Sequence, residues 1–291
     1  MLASIIAAAA SPAMGQDPAP ETIVRNIVYR MVDDTALNLD IYVHRDAAKA
    51  PTPVLVHFHG GGWARGQRPE NWTGFRPYLA AGMSLVTVQY RLAGQARAPA
   101  AVTDARCALQ WVAANAARFG FDPERIIVTG TSAGGHLALM AGLLPATNMV
   151  DSDACRDVPK AAAILDFYGP SDLAAASAGS AARHGTVANW IGEGPDAAAL
   201  ERAMSPVTWL AADSPPIFIV HGDADPVVPV AQSIDLKHRL DALEVPSELF
   251  VVAGGGHGKF DPESNRAVVG RAISFLCGRK LLDAAVCVSK N

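Results

Sequence analysis

Arg125-Ile-Ile-Val-Thr-Gly-Thr-Ser-Ala-Gly-Gly-His136 joins a buried-strand signal directly to the pentapeptide Gly130-Thr-Ser132-Ala-Gly134. A serine at the tip of a tight strand-to-helix turn sits in strained backbone. Only very small side chains fit two positions to either side of it without a clash. Gly130 and Gly134 meet that need. The apolar run Leu137-Ala-Leu-Met-Ala-Gly-Leu-Leu144 continues the pattern as a buried helix. A helix beginning at Ala133 aims its first unpaired N–H groups at any oxyanion formed beside the serine. This is the G-x-S-x-G pattern of a nucleophile elbow. With 25 glycines in 291 residues a pentapeptide match needs partners elsewhere in the chain.

Toward the amino terminus, Thr22 to Met31 and Leu37 to Val43 alternate as strands and are joined by the turn residues Asp33-Asp34, an antiparallel pair at a sheet edge. Near-continuous apolar strands follow at Pro53–His59, Met83–Tyr90, Ile126–Thr129, Ala161–Phe167, Pro216–His221 and Ser247–Val252. Strands of that composition belong in a sheet covered on both faces. Helical stretches lie between them near Ala98–Phe119, Ser132–Leu144, Val230–Leu243 and Asn265–Cys277. The expected fold is α/β, a mostly parallel sheet with antiparallel N-terminal edge strands and helices on both faces, one domain over residues 22–291. The long connection 171–213 is rich in alanine and carries Trp190 and Trp209; it forms either a small lid over a site or a pair of packing helices.

Half the residues are apolar and 18% are charged, with a net charge of -4 and basic residues scattered along the chain. That balance argues against nucleic acid or an anionic membrane surface as a partner. Residues 1–15 form a short apolar run followed by small residues and read as a secretory signal peptide, although no Lys or Arg precedes the run. The expected location is secreted or periplasmic. No later segment approaches the roughly 20 uninterrupted apolar residues of a spanning helix. The four cysteines, Cys107, Cys155, Cys277 and Cys287, fit two disulfides in an exported chain. Of three possible pairings, proximity favours Cys277 with Cys287 and leaves Cys107 with Cys155; buried free thiols are the alternative. No C-x-x-C spacing points to zinc, and no metal or organic cofactor is implied.

A serine hydroxyl is a poor nucleophile at neutral pH and needs a histidine base whose tautomer a carboxylate holds. Beyond the elbow, His221-Gly-Asp223-Ala-Asp225 follows the strand Ile217–Val220, and Gly254-Gly-Gly-His257 follows the next strand. The order Ser132, Asp225, His257 is the Ser-Asp-His order of α/β-hydrolases. Taken singly, Asp223 or Asp225 is as readily a helix cap, and His257 a solvated loop residue. His59-Gly-Gly-Gly-Trp63 follows a buried strand, so its amides can turn toward the serine without side-chain obstruction. Gly61, Gly62 and Ala133 are the expected oxyanion donors. His57 should face away from His59 and be hydrogen-bonded in the core, and His136 lies near the site on the elbow helix. Asp104, Cys107 and Trp111 read as packing or disulfide positions.

Together these motifs resemble the α/β-hydrolase superfamily, and within it the carboxylesterase branch that includes hormone-sensitive-lipase-like esterases, the feruloyl and acetylxylan esterases (BD-FAE-like) and arylformamidases. The resemblance covers Thr22 to Cys277 and rests on His59–Trp63, Gly130–His136, His221–Asp225 and His257. It implies that the second aspartate of the His-Gly-x-x-Asp loop is the acid, which selects Asp225 and leaves Asp223 as understudy. It implies a serine hydrolase of carboxylic esters acting on a small-molecule or carbohydrate ester. The hormone-sensitive-lipase group carries a long amino-terminal helical cap, whereas few residues here precede the first strand, which favours the cap-poor exported type. The same triad also suits an arylformamidase-type amide hydrolase or a catalytically silent binding module. Acyl group, alcohol and oligomeric state are not legible in the sequence.

Overall fold

The computed structural model describes residues 19–148, 150–151, 155–177 and 181–288. The residue 1–15 leader lies outside them. Eight strands form one sheet: β1 (Thr22–Val32), β2 (Thr35–Val43), β3 (Thr52–Phe58), β4 (Ser84–Val88), β5 (Phe121–Thr131), β6 (Ala163–Phe167), β7 (Ile217–Gly222) and β8 (Ser247–Val252). Their order is β1-β2-β4-β3-β5-β6-β7-β8, with β1 and β2 antiparallel at one edge and every pair from β4 and β3 to β8 parallel. This is the α/β-hydrolase sheet. Asp33 closes the first hairpin at φ 50°, a left-handed conformation that aspartate tolerates better than most side chains.

The helices are α1 (Arg76–Ala80), α2 (Ala100–Ala114), α3 (Ala116–Phe119), α4 (Ala133–Leu143), α5 (Leu173–Ser177), α6 (Ala181–Ile191), α7 (Ala197–Ala203), α8 (Ala231–Ala242), α9 (Pro262–Gly278) and α10 (Ala284–Val288). Side chains of successive strand residues enter opposite layers. Val54, Val56 and Phe58 of β3 join Leu137 of α4, Ala105 of α2 and Leu236 of α8, while Leu55 joins Val268 and Ile273 of α9 on the other face. Both faces being covered explains why the strands read as apolar runs. The helix expected over Ala98–Phe119 divides at Asn115, whose side chain bonds back to the Trp111 carbonyl.

Both disulfides pair as proximity suggested, Cys107 with Cys155 and Cys277 with Cys287. Asp104 of α2 is more than packing: wholly buried, it takes charged hydrogen bonds from Arg30 (2.6 Å) and Arg91 (2.8 Å) and so ties β1 and the segment after β4 to α2. His57 departs from expectation. Its ring meets Phe75 edge-on at 4.8 Å, and no hydrogen bond reaches it among the described residues. Burial drives its pKa down to about 3, so it packs as a neutral aromatic. The reason is register: His57 points into the layer where α1 and the loop before it supply rings and aliphatic chains. Among the described residues no helix is long and apolar enough to cross a membrane.

Candidate active site

Ser132 caps α4 at φ 56°, ψ -121°. Its amide donates to the Phe167 carbonyl at 2.9 Å and its carbonyl accepts the His136 amide at 3.0 Å, so the backbone is fixed on both sides and the side chain stands clear of the sheet. A Cβ on Gly134 would fall within 3.0 Å of the Phe58 carbonyl oxygen, and one on Gly130 within 3.0 Å of the Gly134 carbonyl oxygen. The ends of β3 and β5 thus meet the first turn of α4 too closely for any side chain.

His257, on the loop after β8, spans the gap between Ser132 and Asp225. Its Nε2 lies 2.8 Å from Ser132 Oγ and its Nδ1 lies 2.7 Å from Asp225 Oδ2. A carboxylate only accepts, so Nδ1 donates and Nε2 is left to accept the serine proton. Asp225 caps no helix; it folds the turn that leads into α8, which is capped at Val230 without a side-chain bond, and it faces the histidine. Oδ1 accepts the amides of Val227 and Val228 at 2.7 and 3.0 Å, and Oδ2 faces His257. His221 Nε2 stands 3.3 Å from that same oxygen. Burial alone would raise the Asp225 pKa; the hydrogen bonds from His221, His257 and the two amides outweigh it and hold the carboxyl well below the usual carboxylate range. Asp223 turns the other way and accepts the Gly254 amide at 2.7 Å, tying down the start of the histidine loop.

The glycine loop after β3 takes three successive left-handed residues, Gly61 (φ 122°), Gly62 (φ 61°) and Trp63 (φ 57°). With Ser132, Ala133 and His257 it lines a cleft of about 400 Å³. Among the described residues the amides of Gly61, Gly62 and Ala133 have no protein acceptor. Trp63 anchors the loop. Its indole N–H donates to His136 Nδ1 at 3.2 Å, which leaves His136 Nε2–H to donate to the Met204 carbonyl at 2.7 Å, and its ring stacks on Trp190 at 4.4 Å. Burial, opposed by the Met204 bond, pushes the His136 pKa down to about 4, so the imidazole stays neutral and keeps this tautomer. Of the tryptophans Trp63, Trp72, Trp190 and Trp209, only Trp63 lines the cleft. Trp63→Phe leaves His136 Nδ1 buried without its donor and is expected to lower unfolding free energy by about 1–2 kcal/mol. Urea denaturation checks this, and an unchanged midpoint would show that the bond contributes nothing.

Three further residues shape the site; His221 stands in the sequence as the first residue of the His-Gly-x-x-Asp motif, whereas Tyr168 and Asp166 carry no signal of their own. His221 backs Asp225 and receives a hydrogen bond at Nδ1 from Ser233 Oγ, 2.7 Å away. Tyr168 follows β6 and lines the cleft. Asp166, on β6, lies beneath the elbow, fully buried; its Oδ1 accepts the Gly169 amide at 3.0 Å and its Oδ2 has no partner among the described residues. A Cβ on Gly135 would lie 2.5 Å from that Oδ1. Burial, partly opposed by the Gly169 bond, raises the Asp166 pKa to about 8. Among the described residues no cluster of His, Cys, Asp or Glu is arranged to hold a metal ion.

The model of the BD-FAE family matches residues 39–240. The chain belongs to the BD-FAE family. The match takes in Ser132 and Asp225 and ends before His257. Among curated proteins, this BD-FAE chain is similar to the esterase LipC of Mycobacterium tuberculosis, 31% identical over 80% of the chain, and spans 59% of LipC's own length. Among solved structures it resembles a truncated carbohydrate esterase from gut microbiota, with a TM-score of 0.73 and 27% identity, covering 91% of this chain and 98% of that one. It also resembles esterase 2 of Thermogutta terrifontis, in the form phosphonylated by cyclosarin, with a TM-score of 0.73 and 27% identity, covering 92% and 97%.

Proposed function

We propose that this BD-FAE domain is a serine hydrolase of carboxylic esters in which Ser132 is the nucleophile, His257 the base and Asp225 the orienting acid. The observation that carries the reading is one imidazole hydrogen-bonded on one side to a serine at the tip of an elbow and on the other to a buried carboxylate. As Ser132 Oγ attacks the ester carbonyl, its proton passes to His257 Nε2. The negative charge that develops on the carbonyl oxygen falls toward the free amides of Gly61, Gly62 and Ala133. Asp225 stays ionised and stabilises the imidazolium through Oδ2. His257 then returns the proton to the leaving alcohol, and water releases the acyl group from Ser132 by the same steps.

Pro170, Val187 and Val228 give the cleft apolar walls suited to an acyl group. The likeness to a carbohydrate esterase favours a sugar or small-molecule alcohol, and the likeness to the esterase LipC favours esters over the arylformamidase-type amide. We read residues 22–291 as one domain and 171–213 as a small lid, because Ala176, Thr186 and Val187 from that connection line the cleft. Two disulfides support export.

A fluorophosphonate probe is expected to label Ser132. A panel of nitrophenyl esters of increasing acyl length, acetylated xylan, feruloyl esters and formylkynurenine is expected to show ester turnover with little amide cleavage. A chain that neither labels nor turns over any ester would be a binding module.

A further inference from the structure

The histidine loop is tied at its start by Asp223 and packed by Phe260 on Gly255, but the residues next to His257 carry no side chain that could hold the imidazole. Gly254, Gly255 and Gly256 precede His257 and Gly258 follows it, a composition with wide backbone freedom. Yet the imidazole must hold two hydrogen bonds at once. Tyr168 supplies the wall that the loop lacks. Its ring stands edge-on to His257 with centroids 4.8 Å apart and planes at 62°, and it meets Phe260 beyond the loop at 6.1 Å. A Cβ on Gly258 would fall within 3.0 Å of the Tyr168 hydroxyl oxygen, so the hydroxyl rests directly on the backbone of the residue after His257. Gly258 is itself left-handed at φ 62°.

Tyr168 occupies φ 47°, a conformation rare for a bulky aromatic, and its amide is pinned to the Val220 carbonyl at 2.8 Å. Strain of this kind persists only where the surroundings impose it, and it concentrates at functional sites. Here it throws the ring back over the ends of β6 and β7 into the cleft. Burial raises the hydroxyl pKa to about 12, with the Thr131 side chain acting in opposition, so the group stays uncharged.

We propose that Tyr168 is a positioning residue whose ring holds the His257 imidazole in line between Ser132 and Asp225. The inference rests on the triad proposed above. Its test compares Tyr168→Phe, Tyr168→Leu and Tyr168→Ala with the unaltered protein, reading kcat and KM on nitrophenyl acetate and the downfield proton resonance of the His257 Nδ1–H bonded to Asp225. Tyr168→Phe keeps the ring and should stay within about threefold of the parent kcat. The Leu and Ala variants should lose about tenfold or more in kcat with a smaller change in KM, and their downfield resonance should broaden or vanish. The Leu variant keeps most of the volume and serves if the Ala variant does not fold. Parent-like kcat in both would overturn the proposal. So would a loss of kcat with the resonance intact, which would place the tyrosine's effect on the substrate, or a Phe variant as impaired as the Leu one. If the parent protein hydrolyses no ester, the esterase reading falls, and the resonance still decides whether Tyr168 orders His257.

Discussion

Ser132→Ala is expected to abolish ester turnover while leaving the fold in place. Loss of the nucleophile in a serine hydrolase costs on the order of 10⁶-fold in kcat, and what remains comes from binding and the oxyanion donors. The elbow should survive, because its geometry does not depend on the hydroxyl. The close approach of Gly130 and Gly134 to backbone, the Ser132 amide on Phe167 and its carbonyl on His136 are all unchanged by alanine. Alanine at φ 56° bears the same strain as serine. Only the bond from Ser132 Oγ to His257 goes, worth about 1 kcal/mol. Kinetics on nitrophenyl acetate together with thermal unfolding therefore separate the two effects. Asp225→Asn should cost about 10⁴-fold, since an amide presented to His257 Nδ1 favours the wrong tautomer. The pair Ser132→Ala with His257→Ala should be no worse than Ser132→Ala alone, because the groups act as one unit. Retained turnover in Ser132→Ala would place the nucleophile elsewhere.

The elbow was legible because its chemistry is local: two glycines bracket a serine at a fixed spacing, and the contacts of Gly134 with Phe58 show why no other residue fits. Asp225 was harder. Two aspartates share one loop, and periodicity cannot say which turns inward; the family pattern points to Asp225, the one whose carboxylate lies against His257, while Asp223 accepts the Gly254 amide. Tyr168 and Asp166 left no such trace. Each acts through neighbours that come from distant parts of the chain, His257 and Gly258 for the first, Gly135 for the second. His57 misled for the same reason, as its partner Phe75 comes from a loop with no pattern of its own. The helices of 171–213 were half-visible: their alanine content spoke for helix, but the role of Trp190 as a platform for Trp63 depends on a stacking no sequence window contains.

Asp166→Asn is expected to stabilise the protein by an amount that grows with pH. Asp166 has its folded-state pKa raised from 3.8 to about 8 by burial. For a carboxyl shifted in that direction, stability is full below the unfolded pKa and is lost as pH rises from there toward the folded value. Across that window the folded chain must hold a proton that the unfolded chain has released. Each unit of pH costs about 1.4 kcal/mol, which reaches about 4 kcal/mol at pH 7 for a group that stays rigidly buried. Asparagine keeps the shape and the acceptor for the Gly169 amide, and its N–H group faces the same partnerless space as the protonated Oδ2. It has no proton to take up. The unfolding free energies of the two proteins should therefore coincide near pH 4, diverge through pH 5 to 7 in favour of the variant, and run parallel above about pH 8. His57 and His136, lowered by burial to about 3 and 4, titrate alike in both and drop out of the difference. Urea denaturation from pH 4 to 9 measures it. Curves that stay parallel throughout would mean that Asp166 is ionised beneath the elbow at neutral pH. The first turn of α4, with Gly135 against that carboxylate, would then be folded around a buried negative charge directly behind Ser132.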